Sequence, residues 1–313
     1  MQNPEFKTSP FFVCGVARSG TSFMHHILNE HPSIKIAYES KLFDEGYEVY
    51  KHNKKIKSHG DFAAFSKKLA EIEKQESQNN WMVNILNQNS EELYLQYTKE
   101  PSYEKLVEKI FNFPDSAHCW GNKMLRLARC SELLSRWPNA KIIVLLRNPK
   151  AVFLSQKKYF GFRIKSSAIY WNRHSKLTRE LAEDSSNYLI VKYEELVMKP
   201  VNTLGKILQF LGINEKKSAE NLLSKRPVKT TRVDAYKTEL NAEEEEMIAG
   251  LCFDEMRYWG YDPAPAGFQR NINTLDTAKE MILEYLPRLP LNPRVWRRKK
   301  ILQRFFKILL HKN

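Results

Sequence analysis

The sequence predicts an α/β protein built on a doubly wound parallel sheet flanked by helices, and three observations carry that expectation. Phe11-Phe12-Val13-Cys14 is a short apolar run that opens into a loop of small residues, Gly15 to Gly20. Lys141 to Leu146 is the strongest strand signal in the chain and is closed by Arg147-Asn148-Pro149. Tyr188 to Lys192 reads as a further strand, with helical patterns between the runs. Continuously apolar runs of this length suit parallel strands covered on both faces. Strands alternating with helices give a parallel sheet whose ligands lie beyond the carboxyl ends of the strands.

The elements follow in order. A helix begins near Thr21, with Phe23, Ile27 and Leu28 at helical spacing, and His31-Pro32 marks its end. Ile34 to Ala37 reads as the second strand. From about residue 46 to 118, amphipathic segments such as Phe62 to Glu73 and Tyr103 to Phe113 are divided by polar stretches such as Glu76 to Asn80, which predicts a helical insert. Pro149 places a helix start around Lys150. Further helices are expected at Val201 to Leu211, ended by Gly212, and at Ala242 to Trp259, where Asn241 and Glu244 have capping-box spacing. One domain is expected over residues 1–265, followed by a helical extension over 266–313.

Among its 313 residues the chain carries a formal charge of +14, a balance that attracts phosphorylated or sulfated partners. Much of the excess lies in the tail, where Arg294, Arg297, Arg298, Lys299, Lys300, Arg304, Lys307 and Lys312 occur without an acid. On a helix, Val295, Leu302, Phe305, Phe306 and Leu309 gather on one side of this basic segment. Two readings stay open for 294–313: a helix docked on the domain, or a peripheral contact with an anionic membrane surface. No RNA- or DNA-binding module is recognisable, so nucleic acid is not expected as a partner. Cys14, Cys119, Cys130 and Cys252 form no CxxC pair, which argues for buried free thiols rather than a zinc ribbon. The polar start, Met1 to Pro10, has no apolar segment of signal or anchor length, and a cytoplasmic enzyme is expected, associated with the cytoplasmic face of a membrane if the tail binds there.

Gly15-Val16-Ala17-Arg18-Ser19-Gly20-Thr21-Ser22 has the glycine spacing of a Walker A loop, but Thr21 stands where such a loop carries Lys, and the cation is Arg18. Backbone amides and a helix N-terminus still make an anion cradle. The strong strand ends in Arg147 rather than in the Asp that helps to hold magnesium in P-loop enzymes, so metal-assisted ATP chemistry loses ground and no metal is expected.

The segment Phe11 to Pro32 resembles the 5'-phosphosulfate loop of sulfotransferases that use 3'-phosphoadenosine 5'-phosphosulfate (PAPS), in the Arg-Ser-Gly-Thr form of tyrosylprotein and many carbohydrate sulfotransferases. The resemblance implies a P-loop-NTPase-like sulfotransferase fold. It implies that Gly15, Arg18, Ser19, Gly20, Thr21 and Ser22 surround the 5'-phosphosulfate. Lys141 to Ser155 resembles the family's 3'-phosphate motif, which assigns Arg147 and Ser155 to a phosphate that ATP lacks. Tyr193-Glu194-Glu195-Leu196-Val197 and Pro200 also resemble a family segment. Arg226 to Tyr236 is similar to the last cofactor-covering loop and makes Lys229 and Arg232 candidates for cofactor contact, although Tyr236 stands where many relatives have Trp.

Sulfuryl transfer needs an aligned acceptor oxygen, a base for its proton, and cations for the charge that develops on sulfuryl and leaving oxygens. Arg18 is the first cation. Trp120-Gly121-Asn122-Lys123 resembles the segment supplying a catalytic Lys in tyrosylprotein sulfotransferases, which makes Lys123 the second. By the same resemblance Glu39, in Tyr38-Glu39-Ser40, is the base, with His118 in reserve. The expected acceptor is a hydroxyl of a carbohydrate or glycolipid, bound by the insert and by Tyr159 to Trp171. A metal-dependent P-loop kinase and a non-catalytic anion-binding module of the same fold are the alternatives.

Overall fold

The computed structural model describes residues 9–52, 56–74, 77–112, 119–183, 186–213, 218–228 and 233–264. Lys229, Arg232, His118 and the basic tail lie outside the described residues. The chain forms two compact units: residues up to Arg147 with Leu177 to Val228, and Asn148–Lys176 with Val233 to Ala264.

The first unit holds the sheet. β1 (Phe11–Gly15), α1 (Thr21–Leu28) and β2 (Ile34–Tyr38) come first. The insert follows as α2 (Glu45–His52), α3 (His59–Glu73), α4 (Asn80–Gln88), α5 (Ser90–Lys99) and α6 (Tyr103–Phe111). Then come β3 (Cys119–Lys123), α7 (Cys130–Arg136) and β4 (Lys141–Leu146). After an excursion through the second unit the chain returns with β5 (Tyr188–Lys192), preceding α10 (Tyr193–Met198), α11 (Pro200–Leu211) and α12 (Ser218–Lys225). All pairings are parallel, in the order β2-β3-β1-β4-β5.

Alternation along the strands assigns the two faces. Phe12, Cys14, Ala37, Trp120, Ile142 and Val144 join one apolar cluster with the insert helices. Phe11, Val13, Ile34, Ile36, Ile143, Leu145 and Val191 join the other, with α1, α11 and α12. Both faces are therefore covered, as the unbroken apolar runs require.

β3 was not legible as a strand. Its Gly121 pairs with Phe11, and a Cβ there would stand 1.8 Å from the Phe11 carbonyl oxygen. Because that oxygen belongs to the backbone of the central strand, Gly121→Ala should destabilise the protein by about 3 kcal/mol, at the upper end for overpacking. Urea unfolding measures this, and an unchanged midpoint would show that β3 does not run against β1 in this register.

The second unit contains α8 (Pro149–Phe160), the start of α9 (Ile164–Glu183), α13 (Tyr236–Glu239), α14 (Ala242–Leu251) and α15 (Phe253–Tyr258). The Asn148 side chain caps α8 by accepting from the Lys150 amide, with Pro149 in the first turn. Lys150 reaches Glu245 at 3.1 Å, and Lys157 pairs with Glu244. The capping box of Asn241 and Glu244 forms as its spacing predicts. The single helix expected from Ala242 to Trp259 is instead two, broken at Cys252, where the backbone leaves helical geometry.

Candidate active site

Four of the predicted residues stand at the carboxyl ends of four adjacent strands. Arg18 lies in the loop after β1, Glu39 follows β2, Lys123 ends β3 and Arg147 follows β4. This is the edge at which a parallel sheet binds ligands.

The loop after β1 turns tightly, with the Ser19 amide donating to the Val16 carbonyl at 3.0 Å. Gly15 abuts β4: a Cβ would lie 2.7 Å from the Leu145 carbonyl oxygen. Gly20 takes a left-handed φ of 97°, and a Cβ there would meet the Tyr193 ring at 2.6 Å. Only glycine meets both demands. Gly20 is also the N-cap of α1, so no side chain satisfies the helix's leading amides, and no acid occupies the first turn. Those amides are open to an anion. Ser19 is 1% exposed and its hydroxyl has no hydrogen-bond partner among the described residues. An oxygen-rich anion would supply one.

Arg147 braces this loop. Its Nη1 donates to the Arg18 carbonyl at 3.0 Å, and its guanidinium lies 4.4 Å from the centroid of the Tyr193 ring. Tyr193 thus packs against Gly20 and Arg147 together, a part that the sequence did not assign to it. Ser155 stands on α8, in the second unit.

Glu39 and Lys123 form one group. Lys123 Nζ is 2.5 Å from Glu39 Oε1 and 4.2 Å above the Tyr38 ring. The lysine side chain is 2% exposed and the glutamate 29%, so the pair is solvated from the carboxylate side. Tyr38 OH reaches Ser22 Oγ at 3.2 Å, linking the end of β2 to the start of α1. Arg18, with φ 78°, and Glu39, with φ 49°, are the non-glycine residues in the left-handed region among those described. Such backbone costs about 1–3 kcal/mol and persists where the surroundings over-determine it.

The histidines of α1 are shifted towards their neutral form. His25 packs edge-on to Tyr38, and burial, with the nearby His26 and Lys123 charges, lowers its pKa to about 4. His26 is lowered too, first by burial and then by Arg226. Among the described residues, no group of three or more His, Cys, Asp or Glu side chains is placed to hold a metal ion. Nor is any of their helices long and apolar enough to cross a membrane.

Comparison with known proteins bears on the family and the fold. The profile of the sulfotransferase family matches residues 10–217. The chain is 26% identical over 219 residues to the protein-tyrosine sulfotransferase of Drosophila melanogaster, a stretch that makes up 64% of this chain and 38% of that protein. In fold it is similar to the sulfotransferase domain of a Synechococcus olefin synthase, with a TM-score of 0.50, 18% identity and coverage of 83% of this chain and 98% of that one. A mouse sulfotransferase complexed with PAP gives a TM-score of 0.48 at 15% identity, covering 80% of this chain and 84% of its own. With a family match running from β1 past α11 over a chain whose core is a five-stranded parallel sheet, this chain belongs to the sulfotransferase family.

Proposed function

We propose that the protein transfers a sulfuryl group from PAPS to the hydroxyl of a carbohydrate or glycolipid by direct in-line displacement. The observation that carries this reading is the arrangement at the sheet edge: an anion loop with Arg18, a buried ammonium at Lys123 paired to the carboxylate of Glu39, and Arg147 beside the loop. PAPS, when bound, supplies an activated sulfuryl group joined to the 5'-phosphate through an oxygen. The loop amides, Ser19 and Arg18 hold that end, and the unpartnered Ser19 hydroxyl fits it. Arg147 offers planar, permanently charged donors to the 3'-phosphate. Glu39 takes the proton from the acceptor oxygen, while Lys123 and Arg18 neutralise charge on the sulfuryl and leaving oxygens.

The Arg-Ser-Gly-Thr form of the loop is common to tyrosylprotein and many carbohydrate sulfotransferases, and with the basic tail it fits a substrate presented near a membrane, such as a carbohydrate or glycolipid. A tyrosine hydroxyl is the second reading, favoured by the identity to the Drosophila enzyme. Sugars, glycolipids and tyrosyl peptides offered side by side separate them.

Calorimetric titration without metal tests the cofactor. Adenosine 3',5'-bisphosphate (PAP) should bind far more tightly than AMP or ATP; preference for ATP, or a need for magnesium, would promote a kinase instead. Arg147→Ala should weaken PAP about 10- to 100-fold, the worth of hydrogen bonds to a charged group, and AMP much less. Equal losses would mean that Arg147 serves only the loop.

A further inference from the structure

Glu39 is held in its left-handed conformation by side chains that the proposed reaction does not use. On one flank, the Asn79 side chain accepts from the Tyr38 amide at 2.9 Å and donates to the Tyr38 carbonyl at 2.9 Å. β2 is an edge strand, so this carboxamide takes the place of a neighbouring strand at its open side. On the other flank, the Ser40 amide donates to Asn122 Oδ1 at 2.9 Å. The Glu39 amide itself donates to the Lys123 carbonyl at 2.8 Å.

Glu73 joins the two flanks. Its Oε1 accepts from Ser40 Oγ at 2.9 Å and from the Leu42 amide at 2.8 Å, and its Oε2 accepts from Asn79 Nδ2 at 3.1 Å. Glu73 and Asn79 are fully buried, and among the described residues the carboxylate is met by neutral donors rather than by a cation. Burial raises its pKa, against the pull of those hydrogen bonds. A buried acid without a counter-charge is costly, and a packing role alone would be filled by an apolar residue.

We propose that Glu73, acting with Asn79, is a positioning residue that fixes Glu39 against Lys123, so that the helical insert sets the base as well as facing the acceptor. The proposal rests on the reading of Glu39 as base. Glutamine at position 73 would set an NH2 group against either Asn79 Nδ2 or the Leu42 amide, because Ser40 Oγ, Asn79 Nδ2 and the Leu42 and Lys41 amides converge on a group that then accepts at one atom only. Asn79 could answer by turning over, but its hold on Tyr38 would reverse into mismatched pairs.

The test is a double-mutant cycle on Glu73→Gln and Glu39→Gln. It is read as PAP release from PAPS with water as acceptor, together with PAP affinity and a crystal structure of Glu73→Gln. Glu73→Gln should bind PAP within about twofold of wild type, lose about tenfold or more in rate, and lose nothing further in the Glu39→Gln background, as expected of residues acting as a unit. In the crystal, Glu39 should leave the left-handed region and part from Lys123. Additive losses, or an unmoved Glu39, would overturn the positioning role alone. Failure of the wild-type protein to bind PAP would instead remove the sulfotransferase reading and the base with it. If Glu73→Gln does not fold, Asn79→Ala enters the same cycle with the same expectations.

Discussion

Glu39→Gln should lower turnover ~100- to 10,000-fold, the range for a lost general base, while PAP affinity stays within about threefold. The substitution separates chemistry from structure. The glutamine oxygen can still accept from Lys123 Nζ, which now sits 2.5 Å from Glu39 Oε1, so the ammonium keeps a partner. The carboxamide cannot take a proton. A link from this strand end to the loop after β1 runs through Tyr38 to Ser22. Turnover is followed as PAP release and affinity by calorimetry. A rate within tenfold of wild type would remove Glu39 as base, and a parallel collapse of PAP binding would show that it supports the cradle instead.

What could be read from the sequence divides by whether a segment is made of the residues that its conformation favours. β1 and β4 are apolar runs punctuated by glycine or by Asn-Pro, and both form where expected. β3, Cys-Trp-Gly-Asn-Lys, carries three residue types that strands avoid. Each has a tertiary reason: Gly121 lets Phe11 approach, Asn122 secures Ser40, and Lys123 meets Glu39. α9 escaped for a related cause. Its buried stripe, Ser167, Ala168, Trp171, His174, Ser175 and Thr178, has helical spacing but is mostly polar or small, so hydropathy does not reveal it.

The candidate site divides in the same way. Arg18, Ser19, Glu39, Lys123 and Arg147 could be proposed from the sequence because they sit in contiguous motifs. Tyr38, Glu73 and Asn79 were not, because their parts depend on what the fold brings beside β2: an ammonium over one ring, and a helix and turn of the insert against a strand edge. The two left-handed residues could be matched to motifs, but their strain could be seen only in the backbone.

Lys123→Met should lower turnover by about 100- to 1,000-fold, as for removal of one preorganised donor from a transition state. Methionine keeps an unbranched stem of similar size at a position that is 2% exposed, so packing at the end of β3 is spared and the charge alone is lost. The position argues for a direct part. Lys123 is paired with Val13 across the sheet, and the Met124 amide donates to the Val13 carbonyl at 2.8 Å, so the lysine stands on the strand adjacent to the one that leads into the Arg18 loop. A lysine that merely neutralised Glu39 would behave differently: its loss would add nothing once Glu39 had become glutamine. A lysine that stabilises the sulfuryl oxygens should cost a further tenfold or more in that background, because base and cation act on different atoms. Turnover in the single and double variants decides between the two, with thermal unfolding of Lys123→Met confirming that the fold is intact. Equal rates for Glu39→Gln with and without Lys123→Met would reduce Lys123 to a counter-ion and leave Arg18 as the cation of the reaction.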